Sequence, residues 1–238
     1  MNIFSTIYNT ILYQPMLNFL VLIYVLTGNF GIAVIVLTVL VKCLTNPLNK
    51  KSIESQKAMT EIQPKLKEIQ KKYKDAPEKQ AQEMIALYKE KNFNPFSSIF
   101  LLLIQIPIII ALFQIFKGGV AIDPQYMYSF VHFPEETINP YFLGIDLSQP
   151  NIILAVLTAI AQYFQAKTSF TKQETNTKEP KDKTMQITEM MQKQMVFIFP
   201  IITLFVLSTL PSALAVYWLI TTAMTIYQQK KILKEKND

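Results

Sequence analysis

The sequence predicts an all-α polytopic membrane protein: a five-helix transmembrane bundle with a cytoplasmic helical hairpin and an N-terminal interfacial amphipathic helix. Three observations carry this expectation. Half of the 238 residues are hydrophobic and only 17% are charged, against roughly a quarter in soluble domains. Mean hydropathy is +0.23. All 23 basic residues are lysine, and long apolar runs separate the lysine-rich blocks, as in a chain carrying a positive-inside code. One cysteine, Cys43, rules out an internal disulfide, and one histidine, His132, rules out a multi-histidine metal centre.

A span needs about 20 mainly apolar residues to cross a hydrocarbon core of about 30 Å. The first candidate is 30–48, FGIAVIVLTVLVKCLTNPL, and it contains Lys42. The second, 96–116, FSSIFLLLIQIPIIIALFQIF, has no charge, and the third covers about 151–166. No charge separates Lys193 from Lys230 across 36 residues, about 54 Å of helix and too long for one crossing. Pro211 divides that stretch into a fourth and a fifth span joined by a tight turn.

Lysine parity tests the count. Twelve lysines lie from Lys42 to Lys91, six from Lys167 to Lys193 and four from Lys230 to Lys236. Placing these blocks in the cytoplasm requires an even number of crossings between each pair, which five spans satisfy with the N-terminus outside and the C-terminus inside. The outer loop, with Lys117, Asp123, Glu135, Glu136 and Asp146, then carries −3. The expected segments are 1–28 for the N-terminal helix, 29–49, 95–116, 150–167, 194–210 and 211–229 for the spans, 50–94 for the hairpin, 117–149 for the outer loop, 168–193 for a cytoplasmic loop and 230–238 for the tail.

The segment 3–26 is apolar but interrupted by Asn9, Gln14, Pro15 and Asn18. It reads either as an amphipathic helix in the outer interface or as a sixth span followed by the TGNFG turn, which leaves the later parity intact. It has neither the positive n-region nor the small-residue cleavage site of a signal peptide and is expected to stay in the mature chain. In 50–91, Ile53, Ile62, Leu66, Ile69 and Tyr73 recur at helical spacing. Asp75, Ala76 and Pro77 make a turn, and Met84, Ile85 and Tyr88 begin a second stripe. This lysine-rich hairpin is either a solvated connector or an arm that rests on anionic headgroups or receives a partner.

A lysine within a span costs about 2.5 kcal/mol or more at the centre and points to function. Lys42 lies somewhat to the cytoplasmic side of the middle. It either snorkels to the headgroups or holds a charge in a water-containing cavity. Gln105, Gln162 and Gln165, with hydroxyls including Thr203, Ser208, Thr221 and Thr222, are singly interhelical glue; with a lysine they line a wet groove. Trp218 and Tyr217 are either interfacial anchors or groove wall. Cys43 reads as a small apolar filler and His132 as a surface residue. No nucleophile–base pair, glycine-rich phosphate loop or intramembrane acid appears, so neither an enzyme nor a proton-coupled transporter is expected, and nothing calls for a metal or cofactor or for nucleic-acid binding.

These residues and their order resemble the YidC/Oxa/Alb family of membrane protein insertases over nearly the whole chain. GNFGIAVIVLTVLVKCLTNPL is similar to that family's first conserved span, and NPFSSIFLLLIQIPIIIALF to its second, with Asn-Pro and Gln-x-Pro. FLGIDLSQPNIILAVL and AQYFQAK resemble the two ends of the third, and MMQKQMVFIFPIITLFVLSTLPSALAVYWLITTAMTIYQQ the final pair. The resemblance implies a five-helix bundle around a hydrophilic groove open to the cytoplasm and to lipid and sealed outside. It implies insertion of nascent membrane proteins into the bilayer of the cell membrane, alone or with the Sec translocon. Lys42 stands where the family usually has an arginine; Gln105, Gln162, Gln165 and Trp218 match groove-lining positions, with the third-span glutamine left open between two. Lysine for arginine keeps the charge while the groove stays wet. Ser98, Ile99, Phe100 and Leu101 replace Gly-Cys-x-Pro, Ala213 replaces glycine after Pro211 and Ser212, and the tail KKILKEKND offers four lysines for ribosome docking, too few for a strong contact. The alternative class is a small-solute channel or transporter using the same polar cavity; no internal repeat supports it.

Overall fold

The structure, a computed structural model, describes residues 3–91, 93–94, 97–117, 124–131, 138–169 and 196–234. His132 and residues 170–195, expected as part of a cytoplasmic loop, lie outside them. The described chain is mainly helical: α1 (Ile3–Tyr8), a π-helical turn (Asn9–Tyr13), α2 (Gln14–Thr27), α3 (Phe30–Lys72), α4 (Pro77–Glu90), α5 (Ser97–Lys117), α6 (Ile152–Ser169), α7 (Val196–Leu207) and α8 (Ser212–Lys234). The segments Ser5–Thr27 and Phe30–Met59 are long and apolar enough to cross a membrane, and shorter apolar helices cover Leu103–Lys117, Ile152–Thr168 and Val196–Leu207.

The π turn answers Pro15, which has no N–H and crowds the carbonyl four residues back; the Gln14 N–H bonds to Asn9 O instead. α2 stops at Gly28, whose φ of 62° is left-handed. Asn29 is extended, and its side-chain oxygen accepts from Ile32 N at 3.0 Å as the N-cap of α3. A two-residue turn therefore joins α2 to α3.

α3 runs 43 residues without a break, about 65 Å. The first span and the first arm of the hairpin are one helix, although the sequence suggested a boundary near residue 49. Pro47 lies inside it, and in the same turn the Thr45 hydroxyl donates to Val41 O at 2.9 Å and to Lys42 O at 3.3 Å. The second arm begins after the expected turn, with Pro77 in the first turn of α4. Ile62, Leu66 and Leu87 form a small core there with Ile69, Met84, Tyr88 and Phe93 around it. Burial pushes the Tyr88 phenol up from its ordinary pKa.

The main core sits at the other end, where α2, α3, α5, α6 and α8 meet the loop between α5 and α6. Phe30 on α3 and Phe116 on α5 pack edge to face at 6.1 Å, so these helix ends are level. A two-strand hairpin, Tyr141–Phe142 with Ile145–Asp146, turns through Leu143 and Gly144, both at positive φ. The Phe142 ring lies against Gly31, where a Cβ would collide with it. The same loop caps α8: Ser212 N donates to Gln149 O at 2.9 Å and Ala213 N to Leu147 O at 3.0 Å.

α1 and α2 lie across this loop end of the bundle. Tyr8 OH donates to Gln114 Oε1 at 2.8 Å, Asn18 bonds to Tyr126 and Tyr128, and Tyr24 OH accepts from Asn139 N at 3.0 Å. A helix returning alongside α3 would carry Tyr8 about 30 Å from Gly28, out of reach of Gln114 near the end of α5. Ile3, Ile7, Ile11, Leu22, Val25 and Leu26 are exposed, whereas Asn18 is buried because its amide holds the loop.

Candidate substrate groove

Lys42 is 5% exposed. Its ammonium donates to Thr225 Oγ1 at 2.7 Å, and that hydroxyl donates to Thr221 O at 2.7 Å. Thr225 thus accepts from the lysine and donates its own hydrogen bond back along α8. The partner is neutral, and the sequence places no acid in any apolar span. Lys42 lies 12 residues into α3 and Thr225 13 residues into α8, so each is about 18 to 20 Å from the loop end.

Eight residues earlier on α8, about 12 Å nearer the loop end, the buried Tyr217 hydroxyl accepts from Gln105 Nε2 of α5 at 2.7 Å. Gln105 and Lys42 therefore do not meet; α8 receives them at separate levels. On α6, Thr158 Oγ1 reaches Ala215 O of α8 at 3.2 Å. One turn further, Gln162 is 8% exposed and its Oε1 has no partner among the described residues. Gln165 is half-buried. Of the two third-span glutamines, Gln162 is the one enclosed by the bundle. Trp218 is half-buried and packs against the main core.

Three residues of this region were not singled out by the sequence. Thr225 holds Lys42, and Gln228 Nε2 donates to Asn46 Oδ1 at 2.6 Å, again joining α8 to α3. The signal was present as polar positions at helical spacing, Lys42, Asn46 and Asn49 on α3 and Thr221, Thr225 and Gln228 on α8. Among the described residues no group of three or more His, Cys, Asp or Glu side chains is placed to hold a metal.

Polar side chains and a lysine gathered between apolar helices define an integral membrane protein that accommodates polar groups at membrane depth. The model of the 60Kd inner membrane protein family matches residues 22–238. The chain belongs to that family, the YidC/Oxa insertases, whose role is the insertion of membrane proteins and whose partners are nascent membrane proteins and the lipid bilayer.

Proposed function

We propose that the chain inserts and helps fold membrane proteins through a hydrophilic groove open to the cytoplasm, within a bundle of five spans with the N-terminus outside and the C-terminus inside. The observation that carries this reading is Lys42, a buried lysine whose bonded partner is a hydroxyl rather than a carboxylate. A cation held there is costly unless the site is wet or receives an anion. An incoming apolar segment with a short polar or acidic flank places the flank against Lys42, Gln105, Gln162, Gln165 and Trp218, which offset part of its desolvation. The apolar segment then moves sideways into lipid.

Burial of apolar surface and the membrane potential acting on acidic groups drive the step, so it needs neither nucleotide nor cofactor and the chain is not an enzyme. The α1–α2 helix lies in the outer interface, a placement supported by its bonds to the loop end. The Sec translocon is a partner for some substrates, and the short tail gives the ribosome a weak contact.

Reconstitution of the purified chain into liposomes with a radiolabelled single-span substrate tests this reading. Insertion gives a protease-protected fragment; a small-solute channel or a passive scaffold gives none.

A further inference from the structure

Lys42, Asn46 and Asn49 follow one another at intervals of four and three residues and share one face of α3. Two bonds fix the register of that face on α8, Lys42 to Thr225 and Asn46 to Gln228. Since α3 and α8 both start at the loop end, the two bonds are successive rungs about 4.5 to 6 Å apart. The second rung is nearer the hairpin end. Its Asn46 is exposed, while the Gln228 Oε1 is buried with no partner among the described residues.

The rungs offer complementary chemistry. An ammonium has three donors, and Thr225 takes one of those of Lys42. Gln228 Oε1 is an acceptor, and a buried acceptor without a donor is disfavoured. An extended polypeptide presents carbonyl and amide groups at about 3.3 Å per residue, so a stretch of one or two residues spans the separation of the rungs. A main-chain carbonyl then meets Lys42, and a neighbouring main-chain N–H meets Gln228 Oε1. Neither bond depends on the side chain of the incoming residue.

We infer that the seam between α3 and α8 is a binding site for the extended main chain of the substrate's polar flank, with Gln228 Oε1 as its amide-reading acceptor and Asn46, which accepts from Gln228 Nε2, as the group that aims it. This rests on the insertion reading above and names how that groove holds polypeptide of differing sequence.

The test uses the full chain in liposomes and two single-span probes, one with a Gly/Ser flank and one with the same flank carrying Asp. Gln228→Met keeps the length and removes the acceptor. It lowers the protected fraction of both probes equally, by roughly fivefold to tenfold, the loss expected for one hydrogen bond. Asn46→Ala removes the rung but leaves the Oε1 acceptor in place, and lowers both probes alike by a smaller factor than Gln228→Met. An Asn46→Ala loss equal to that of Gln228→Met makes the rung a strut between helices and overturns the site, as does a Gln228→Met defect confined to the Asp probe or absent from both. Disulfide capture gives a second readout independent of activity: Gln228→Cys in a Cys43→Ser background, with single cysteines walked along the flank. An extended chain crosslinks at every second position; uniform capture or none overturns the proposal. An unaltered chain that gives no protected fragment defeats the insertion reading itself, a result separate from any difference between variants.

Discussion

Lys42 and Thr225 stand 183 residues apart in sequence and are joined by a 2.7 Å hydrogen bond between parallel helices. Among the described residues the threonine hydroxyl is the bonded partner and leaves the positive charge unneutralised, so a carboxylate entering the proposed groove would gain a charge-assisted bond that a neutral flank would not. Lys42→Ala is expected to lower insertion of acidic-flank substrates by about tenfold or more, the loss typical of a hydrogen bond to a charged group, with a smaller effect on neutral flanks. Lys42→Arg should retain most insertion because the charge and donors remain. Protease protection in liposomes at matched reconstitution reads both, and equal protection for Lys42→Ala would remove the charge from the mechanism.

Asn18 makes the contacts of a strand edge from within a helix. Its Nδ2 donates to Tyr126 O at 2.8 Å and its Oδ1 accepts from Tyr128 N at 2.7 Å, while the residue is 3% exposed. Asn18→Leu fills similar space and leaves both loop groups without their partner, at a cost of about 2 kcal/mol or more. The expected outcome is a lower melting temperature in detergent and faster deuterium uptake across residues 124–131. Unchanged uptake at the Tyr128 amide would mean that the loop holds its shape without α2.

The helices and the hairpin turn were legible because hydrophobic period, lysine blocks and proline positions are local signals. Asp75-Ala76-Pro77 marks the turn into α4, and Pro211 marks the break before α8, as expected. The continuity of α3 was not legible: Pro47 and the lysines after it suggest a boundary, yet Pro47 sits inside an unbroken helix whose neighbouring carbonyls Thr45 reaches. The strands Tyr141–Phe142 and Ile145–Asp146 are two residues each, too short for alternation to register. At the candidate groove, Lys42 stood out because a charge in an apolar run is rare. Thr225, Gln228 and Asn46 did not, because their importance lies in which residue each faces across two helices, and one chain's spacing cannot set that register. Asn18 looked like an interruption of an apolar helix for the same reason, its partners being 108 and 110 residues away.

Gly31 is required by closeness rather than by backbone conformation. It lies within α3, and a Cβ there would enter the space of the Phe142 ring. Gly31→Ala is expected to destabilise the fold by about 1–3 kcal/mol through overpacking, even though alanine favours helix. In a Phe142→Ala background, itself less stable, Gly31→Ala should cost little further, because the collision disappears. A double-mutant cycle on melting in detergent measures the coupling; additive losses would place the strain of Gly31→Ala elsewhere.

The helical hairpin has a core of its own, Ile62, Leu66 and Leu87, separate from the core at the loop end. Three buried apolar side chains leave little reserve, and Leu66, 4% exposed, faces the second arm. A buried leucine truncated to alanine costs about 2–5 kcal/mol, enough to release α4 from α3 while the distant bundle keeps its packing. Leu66→Ala is therefore expected to expose the lysines of the hairpin to trypsin at low protease concentration, with cleavage between residues 71 and 91 and with the main melting transition unmoved. If the bundle melts earlier in step with hairpin cleavage, the two cores are one cooperative unit, and α3 carries stability along its whole length.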